Sequence, residues 1–182
     1  WFDEALPLIR RLWTEEEVDH YGDRFHLEGV RVHPKPVQDP FEVWLGGQAP
    51  SELRRCGRLG DGWLPTQLTP EEVATGIARI NEYAAEAGRE IPQDHFGLQI
   101  SSYLVERGTV PDVIKERFLL QRRVDVGPEQ LNLLGTAEDI NARLREYVDA
   151  GATKFVFNPA CGADEMLNQM KITHGQQKRL KK

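Results

Sequence analysis

The chain has 182 residues, of which 40% are hydrophobic and 29% charged, and its formal net charge is −6. This length and composition suit one globular domain. The negative charge argues against a general nucleic-acid binder, since such proteins are usually basic. No apolar run approaches the roughly 18 residues that a membrane span needs. Two cysteines, Cys56 and Cys161, make no disulfide framework, so we expect a cytoplasmic protein. Because of its charge and its short apolar runs, we expect it to have neither nucleic-acid nor membrane partners.

The first forty residues predict a helix followed by a hairpin. Apolar residues recur at helical spacing over residues 1–13. Thr14 and Glu17 form a capping-box pattern, which predicts a short helical turn through Val18. Strands at residues 24–27 and 30–33 would form an irregular hairpin. Three prolines within residues 34–40 then predict an extended connector.

Residues 41–65, FEVWLGGQAPSELRRCGRLGDGWLP, predict two short parallel strands joined by a helix. The strands are expected at 42–45 and 62–65 and the helix at 50–59. Gly46 and Gly47 would let the backbone approach a ligand closely, and the following helix N-terminus favours an anion such as phosphate. Ser51, in the first turn, adds a hydroxyl donor. The alternative is a plain strand-to-helix turn, because a Gly-Gly pair alone is a weak signal.

The remainder of the chain continues the alternation of helices and strands. Thr69 and Glu72 form a capping box for a helix over residues 69–88. A strand is predicted at 95–105 and a helix at 111–123, whereas residues 125–134 are expected to form a loop. Thr136 caps the last long helix, with Asp139 three positions later. Its inward face is predicted to carry Ile140, Leu144, Tyr147 and Val148.

The C-terminal part predicts one more strand and a tail. The strand is expected at 154–158, followed by a short helix at 164–170 and a basic, fraying end at 176–182. Four strands alternating with helices indicate an α/β fold with a parallel sheet. The pattern does not distinguish half of a barrel from an open sheet.

Several separated motifs resemble the bacterial luciferase-like monooxygenase family, and in particular its branch that uses the deazaflavin coenzyme F420. They are PKPVQDP at 34–40, Gly-Gly at 46–47, GDGW at 60–63, GTAEDI at 135–140 and DAGAT at 149–153. The resemblance covers most of residues 1–159. It implies the C-terminal half of a (β/α)8 TIM-type barrel, with about four parallel strands and alternating helices, whose N-terminal half is absent. The 182 residues would form one partial barrel domain, with a helix and hairpin-like insertion at 1–40, barrel elements at 41–159 and a tail at 160–182.

The same resemblance implies an oxidoreductase that transfers hydride between F420 and a small organic substrate and is incomplete without its N-terminal half. An FMN-dependent monooxygenase is the alternative, and a non-catalytic α/β module is a third interpretation. The cofactor phosphate would be held by Gly46, Gly47 and Gln48, with help from Ser51. Thr66 and Gln67 follow a strand end and would line the cofactor. The acid and base groups would come from the absent half, so no catalytic residue is named.

Two further expectations concern residues without a direct role in chemistry. Asp61 and Trp63 of the GDGW motif are interpreted as structural, through local capping and space filling. The five histidines match no familiar ligand spacing, so we predict no metal site.

An open half barrel would expose two sheet edges and an apolar face, which predicts a homo-oligomer or aggregation.

Overall fold

The computed structural model describes the backbone of residues 1–119, 123 and 125–180. Its helices are α1 (Phe2–Thr14), α2 (Pro50–Leu59), α3 (Pro70–Glu86), α4 (Asp112–Leu119), α5 (Pro128–Leu131), α6 (Ala137–Asp149) and α7 (Ala163–Leu180). Its strands are β1 (Val18–Tyr21), β2 (His26–Val30), β3 (Trp44–Leu45), β4 (Gly62–Trp63), β5 (Gly97–Leu104), β6 (Leu133–Gly135) and β7 (Lys154–Pro159). A 3₁₀ turn at Gln93–His95 precedes β5.

The strands after β2 are parallel to one another. β3 pairs with β4, and β5 pairs with both β6 and β7. Two single bridges, Trp63 to Phe96 and Thr66 to Gln99, join the β4 segment to the β5 segment. Gln99 and Ser102 each have partners on both sides, so β4 and β6 lie along one side of β5 and β7 along the other. The predicted α/β fold with a parallel sheet is therefore confirmed.

The main hydrophobic core lies between one face of this sheet and the helices α2, α3 and α6. The sheet contributes Trp63, Leu98 and Ile100, all at most 2% exposed. The helices contribute mainly Cys56, Val73, Ile80, Leu144 and Tyr147. In α3 and α6 the predicted capping boxes are present, since Thr69 accepts from Glu72 N–H and Thr136 from Asp139 N–H. Both helices therefore begin where their capping boxes predict.

Two sequence predictions in the N-terminal part are wrong. The hairpin is made by β1 and β2, not by residues 24–27 and 30–33, and Val18 is a fully buried strand residue instead of the end of a helical turn. Thr14 does not cap a new turn, because its hydroxyl donates to Arg10 O within α1. Burial of Val18 sets the register of the hairpin, and that long-range packing is not visible in the local pattern.

The C-terminal part departs from the predictions at four places. Strand β6 begins inside the loop predicted at 125–134 and ends one residue beyond it, at Gly135. Arg123, predicted to end a helix, is not helical, and residues 120–122 lie outside the described part. Val148 is 54% exposed, because it falls off the buried stripe of α6. The terminal helix α7 continues to Leu180, well past residue 170, while residues 181–182 of the expected fraying end lie outside the description.

Candidate functional site

The Gly-Gly turn lies where β3 ends and α2 begins, at the carboxyl end of the parallel strands. Gly47 has φ +89°, in the left-handed region that favours glycine, and a Cβ there would lie 2.5 Å from the carboxyl carbon of Glu52. The Gly47 carbonyl accepts a hydrogen bond from the Trp63 indole N–H at 2.9 Å. Gly46, Gly47 and Gln48 thus lie in the turn, and Ser51 lies in the first helical turn of α2.

The N–H groups at this turn converge on a carboxylate oxygen of the chain's own. Glu52 Oε2 accepts from Gln48 N–H at 2.9 Å and from Ala49 N–H at 2.8 Å. Glu52 lies three positions after the N-cap of α2, where an acidic side chain satisfies free donors and favours the helix dipole. The loop therefore gathers two donors on one anionic oxygen, and Glu52 supplies that oxygen in this conformation.

A cavity of about 300 Å³ adjoins the turn. It is lined by Gln48, Leu53, Trp63, Leu68, Glu71, Glu72, Thr75 and Gly76. Trp63 is fully buried between the sheet and α3, and Gly76 leaves room for its ring, since a Cβ there would lie 2.3 Å from Trp63 Cη2. Trp63 therefore supports the turn from beneath, which agrees with the structural interpretation of the GDGW motif.

Thr66 and Gln67 do not share one environment. Thr66 is exposed and bridges to Gln99 of β5, on the sheet face opposite the helices. Gln67 has φ +57°, and its carbonyl accepts from Arg123 Nη1 at 3.2 Å. Arg123 also contacts Glu72 and Asp125, and these bonds to carboxylates raise the pKa of its guanidinium. Thr66 therefore faces the open side of the sheet, whereas the Gln67 backbone is bound to an ion-pair cluster.

The open face of the sheet presents hydroxyl and carboxamide groups that the sequence prediction missed in part, together with Lys154 and Val156. Gln99 aligns with Val156 and Ser101 aligns with Asn158, so these side chains share a face with Thr66. The alternation of apolar and polar side chains along β5 predicts this face in the sequence, because Leu98 and Ile100 are buried on the helix side and Gln99 and Ser101 lie between and after them. Hydroxyl and carboxamide groups there offer both donors and acceptors.

Asp61 joins three separate segments of the chain. Its Oδ2 accepts from Arg10 Nη2 at 2.6 Å and from Val43 N–H at 2.8 Å. Its Oδ1 lies 3.4 Å from Arg89 Nη2, and its carbonyl bonds to His95 Nδ1 at 2.7 Å. Asp61 thus holds α1, the start of β3 and the approach to β5 together, and its role is structural.

The helix α7 is bonded to the end of β5. The Gln169 carboxamide accepts from Leu104 N–H and donates to Leu104 O, both at 2.9 Å, so it continues the ladder where β7 has ended. Tyr103 Oη donates to Glu165 at 2.8 Å, and burial together with this carboxylate raises the pKa of Tyr103. The two contacts, one turn apart on α7, place this helix at the carboxyl end of the sheet.

Burial and local hydrogen bonds define the surroundings of Cys56, Cys161, His20 and His95. Burial raises the pKa of the Cys56 thiol to about 12, and Cys161 is half-buried. His20 pairs with Glu4 at 2.9 Å, and His95 Nδ1 contacts the Asp61 carbonyl at 2.7 Å. Across the described residues, no group of three or more His, Cys, Asp and Glu side chains has the arrangement of a metal site. Within the same residues, none of the helices is long and apolar enough to cross a membrane.

Comparison with known proteins agrees with this architecture. The model of the luciferase-like monooxygenase family matches residues 1–107. The F420-dependent glucose-6-phosphate dehydrogenase of Intrasporangium calvum is 38% identical over 188 residues, which cover 89% of this chain and 55% of that protein. A solved F420-dependent secondary alcohol dehydrogenase superposes with a TM-score of 0.72 at 18% identity, over 92% of this chain and 58% of that one. The monooxygenase RslO1 from Streptomyces bottropensis gives a TM-score of 0.70 at 19% identity, over 93% of this chain and 57% of that one.

These matches define the class as α/β folds whose parallel sheets resemble those of luciferase-like TIM-barrel structures. The chain belongs to the luciferase-like monooxygenase family. Its relatives include F420-dependent dehydrogenases and monooxygenases. The chain spans little more than half the length of the relatives described here.

Proposed function

We propose that this chain provides the cofactor-phosphate end of an F420-dependent oxidoreductase that transfers hydride to or from a small organic substrate. One observation carries the proposal: the Gly46-Gly47 turn directs the Gln48 and Ala49 N–H groups at one anionic oxygen. A phosphate oxygen has the same requirement for convergent backbone donors at a helix N-terminus. When bound, the deazaflavin would supply the ring that gains or loses hydride.

In this proposal the phosphate competes with Glu52 for the same donors. A phosphate bound to the Gln48 and Ala49 N–H groups would take the place of the Glu52 carboxylate, and the two anions would repel each other. Glu52 must therefore turn away when the phosphate binds. Gly47 provides the space, because it has no side chain beside the Glu52 carboxyl. We therefore propose that the turn accepts a phosphate group once the Glu52 side chain has rotated away.

The hydroxyl and carboxamide groups on the open face of the sheet are proposed to contact the ring or the substrate. Thr66, Gln99, Ser101 and Asn158 lie on the face away from the helices. Active sites of barrel enzymes lie at the carboxyl ends of the strands, where this face meets the Gly-Gly turn. We propose that the sheet is the C-terminal half of such a barrel and that the acid and base groups come from outside these residues.

FMN is the second candidate cofactor, because it also carries a phosphate and a tricyclic ring. The presence of monooxygenases such as RslO1 among the structural neighbours favours keeping this alternative. The F420-dependent dehydrogenase that matches 89% of this chain favours F420. A non-catalytic α/β module would bind neither cofactor.

The test is a titration of the folded chain with F420 and, separately, with FMN, followed by cofactor fluorescence and thermal shift. Binding to the native state should raise the melting temperature by mass action. Glu52→Gln is the informative variant, because any side chain at position 47 would disturb the turn itself. We expect tighter binding of the preferred cofactor to Glu52→Gln, and unchanged binding to Glu82→Gln, which removes one exposed charge on α3. A folded chain that binds neither cofactor would contradict the proposal.

A further inference from the structure

Hydrogen bonds from two distant elements fix the connection between β4 and α3, residues 65–69. The Gln67 carbonyl accepts from Arg123 Nη1 at 3.2 Å, and Arg123 lies in the segment between α4 and α5. The next carbonyl, that of Leu68, accepts from the Tyr147 hydroxyl of α6 at 2.8 Å. Tyr147 is fully buried, so its bond to Leu68 is shielded from water. The connection therefore depends on side chains that lie 56 and 79 positions away along the chain.

Gln67 has a backbone conformation that needs such support. Its φ of +57° lies in the left-handed region, which residues with a Cβ adopt uncommonly. Conformations of this kind persist where neighbouring groups hold them, and they cluster at ligand sites. The turn at Gln67 leaves Thr66 exposed and directs Leu68, which is 3% exposed, into the core. The conformation of Gln67 thus decides which of its neighbours faces away from the core.

All five N–H groups of the Arg123 guanidinium are used in this arrangement. Nε and Nη2 donate to the two carboxylate oxygens of Asp125 at 2.8 and 2.7 Å. Nη2 and Nη1 donate to the two carboxylate oxygens of Glu72 at 3.0 and 3.2 Å, and Nη1 also donates to the Gln67 carbonyl. The Arg123 side chain is only 17% exposed. Because each N–H is already bonded to a described residue, Arg123 acts on a ligand site through the residues that it holds.

Glu72 connects this cluster to the proposed phosphate turn. It lines the cavity of about 300 Å³ together with Leu68 and with Gln48, whose N–H is one of the proposed phosphate donors. Glu72 Oε2 also accepts from Thr69 N–H at 2.8 Å, at the end of the connection. Arg123 thus stabilises one wall of the cavity that adjoins the Gly-Gly turn.

We propose that Arg123 is a positioning residue for the cofactor, because it holds Gln67 in the left-handed conformation and so presets residues 65–69. The inference rests on the proposed function, in which Thr66 contacts the cofactor ring or the substrate. A connection that is already ordered in the free chain adds no ordering cost when a ligand binds. Lysine cannot replace Arg123, since one ammonium group lacks the planar fork that reaches two carboxylates and a carbonyl.

The experiment titrates the full chain and its variants with F420 and, separately, with FMN, followed by cofactor fluorescence. We expect Arg123→Gln and Arg123→Lys each to weaken binding of the preferred cofactor by about tenfold or more, because the connection must then be ordered on binding. Glycine adopts positive φ without support, so in a Gln67→Gly background Arg123→Gln should weaken binding less than about threefold. The matched control is Arg79→Gln, which removes an exposed ion pair with Glu82 on α3 and should leave the affinity unchanged.

Hydrogen exchange and circular dichroism of the free chains complete the test. The Thr69 amide should exchange faster in Arg123→Gln, whereas the Gln48 amide of the Gly-Gly turn and the far-ultraviolet spectrum should not change. Three results would each overturn the inference: unchanged exchange at Thr69, equal affinity of Arg123→Gln and the parent chain, or the same loss of affinity in the parent and Gln67→Gly backgrounds. A parent chain that binds neither cofactor would instead be a failure of the proposed function, and the inference would fall with it.

Discussion

Lys154 Nζ lies 5.0 Å from the centroid of the Trp44 ring, on the face of the sheet opposite the helices. Trp44 also contacts the His95 ring, at a centroid distance of 5.3 Å. The β4 and β5 segments lie between β3 and β7. Adjacent strands are spaced by about 4.8 Å, so the two long side chains reach across this gap, with the Trp44 ring lying over Gly62. The contact thus links β3 to β7 on the face that also carries Gln99 and Asn158.

The Asp61 contacts predict a marked loss of stability in Asp61→Asn. The amide keeps the shape but loses the charge that Arg10 and Arg89 contact from separate elements. Hydrogen bonds to charged groups contribute about 1.5–3 kcal/mol each, so we expect a loss of about 2 kcal/mol in the free energy of unfolding by urea. Asp3→Asn, which removes an exposed pair with Arg55, should cost less than about 1 kcal/mol. Equal losses in the two variants would contradict the role given to Asp61.

Gly76→Ala tests the packing of Trp63 under the Gly-Gly turn. Alanine favours a helix over glycine by about 1 kcal/mol, which alone would stabilise α3. A Cβ only 2.3 Å from Trp63 Cη2 forces the core to shift, at a cost of about 1–3 kcal/mol. We expect net destabilisation and a changed tryptophan fluorescence spectrum. Gly162→Ala, where no atom lies within 4 Å, is the control, and a more stable Gly76→Ala would show that the core accommodates the methyl group.

Glu52→Gln separates the capping role of this residue from its competition with phosphate. The variant keeps an acceptor but loses the charge at the N-terminus of α2, so we expect a stability loss of about 1 kcal/mol. Inorganic phosphate should raise the melting temperature of the variant more than that of the parent chain. The measurement is a thermal shift across phosphate concentrations at constant ionic strength. Identical shifts in both chains would mean that phosphate does not use these donors.

The two thiols should differ in reactivity. Cys56 is fully buried and has a pKa of about 12, so it is almost entirely protonated at pH 8 in the folded chain. Cys161 is half-buried beside the cluster that contains Tyr103 and Val110. We expect an aromatic disulfide reagent to label Cys161 first and Cys56 only after unfolding. Rapid labelling of a folded Cys161→Ser variant would contradict the burial of Cys56.

Glu4 predicts a loss of stability in acid. The hydrogen bond from His20 lowers the pKa of the Glu4 carboxyl, helped by backbone N–H groups of Phe25 and Arg24. Because the folded-state pKa is depressed, this stabilisation is present above the unfolded value of about 4.3 and is lost as the pH falls through the folded-state value. Glu4→Gln should therefore show a smaller loss of stability between pH 6 and pH 3. Glu86→Gln, at an exposed surface pair, should follow the parent curve in urea unfolding.

Elements with local determinants were predicted correctly. Thr69 with Glu72 and Thr136 with Asp139 cap the helices that the sequence predicts, because each box needs only residues three positions apart. The Gly-Gly turn and α2 were predicted for the same reason, since backbone freedom and apolar spacing are properties of a short segment.

Features that join distant segments could not be predicted from such patterns. The register of β1 and β2 depends on burial of Val18, and the Asp61 contacts join residues between 18 and 51 positions apart. The polar surface of Thr66, Gln99 and Asn158 arises from three strands, and their alignment is set by the sheet register. Sequence patterns thus define each element and the faces it can bury, whereas packing between elements places the donors, carboxylates and polar side chains that a bound cofactor would contact.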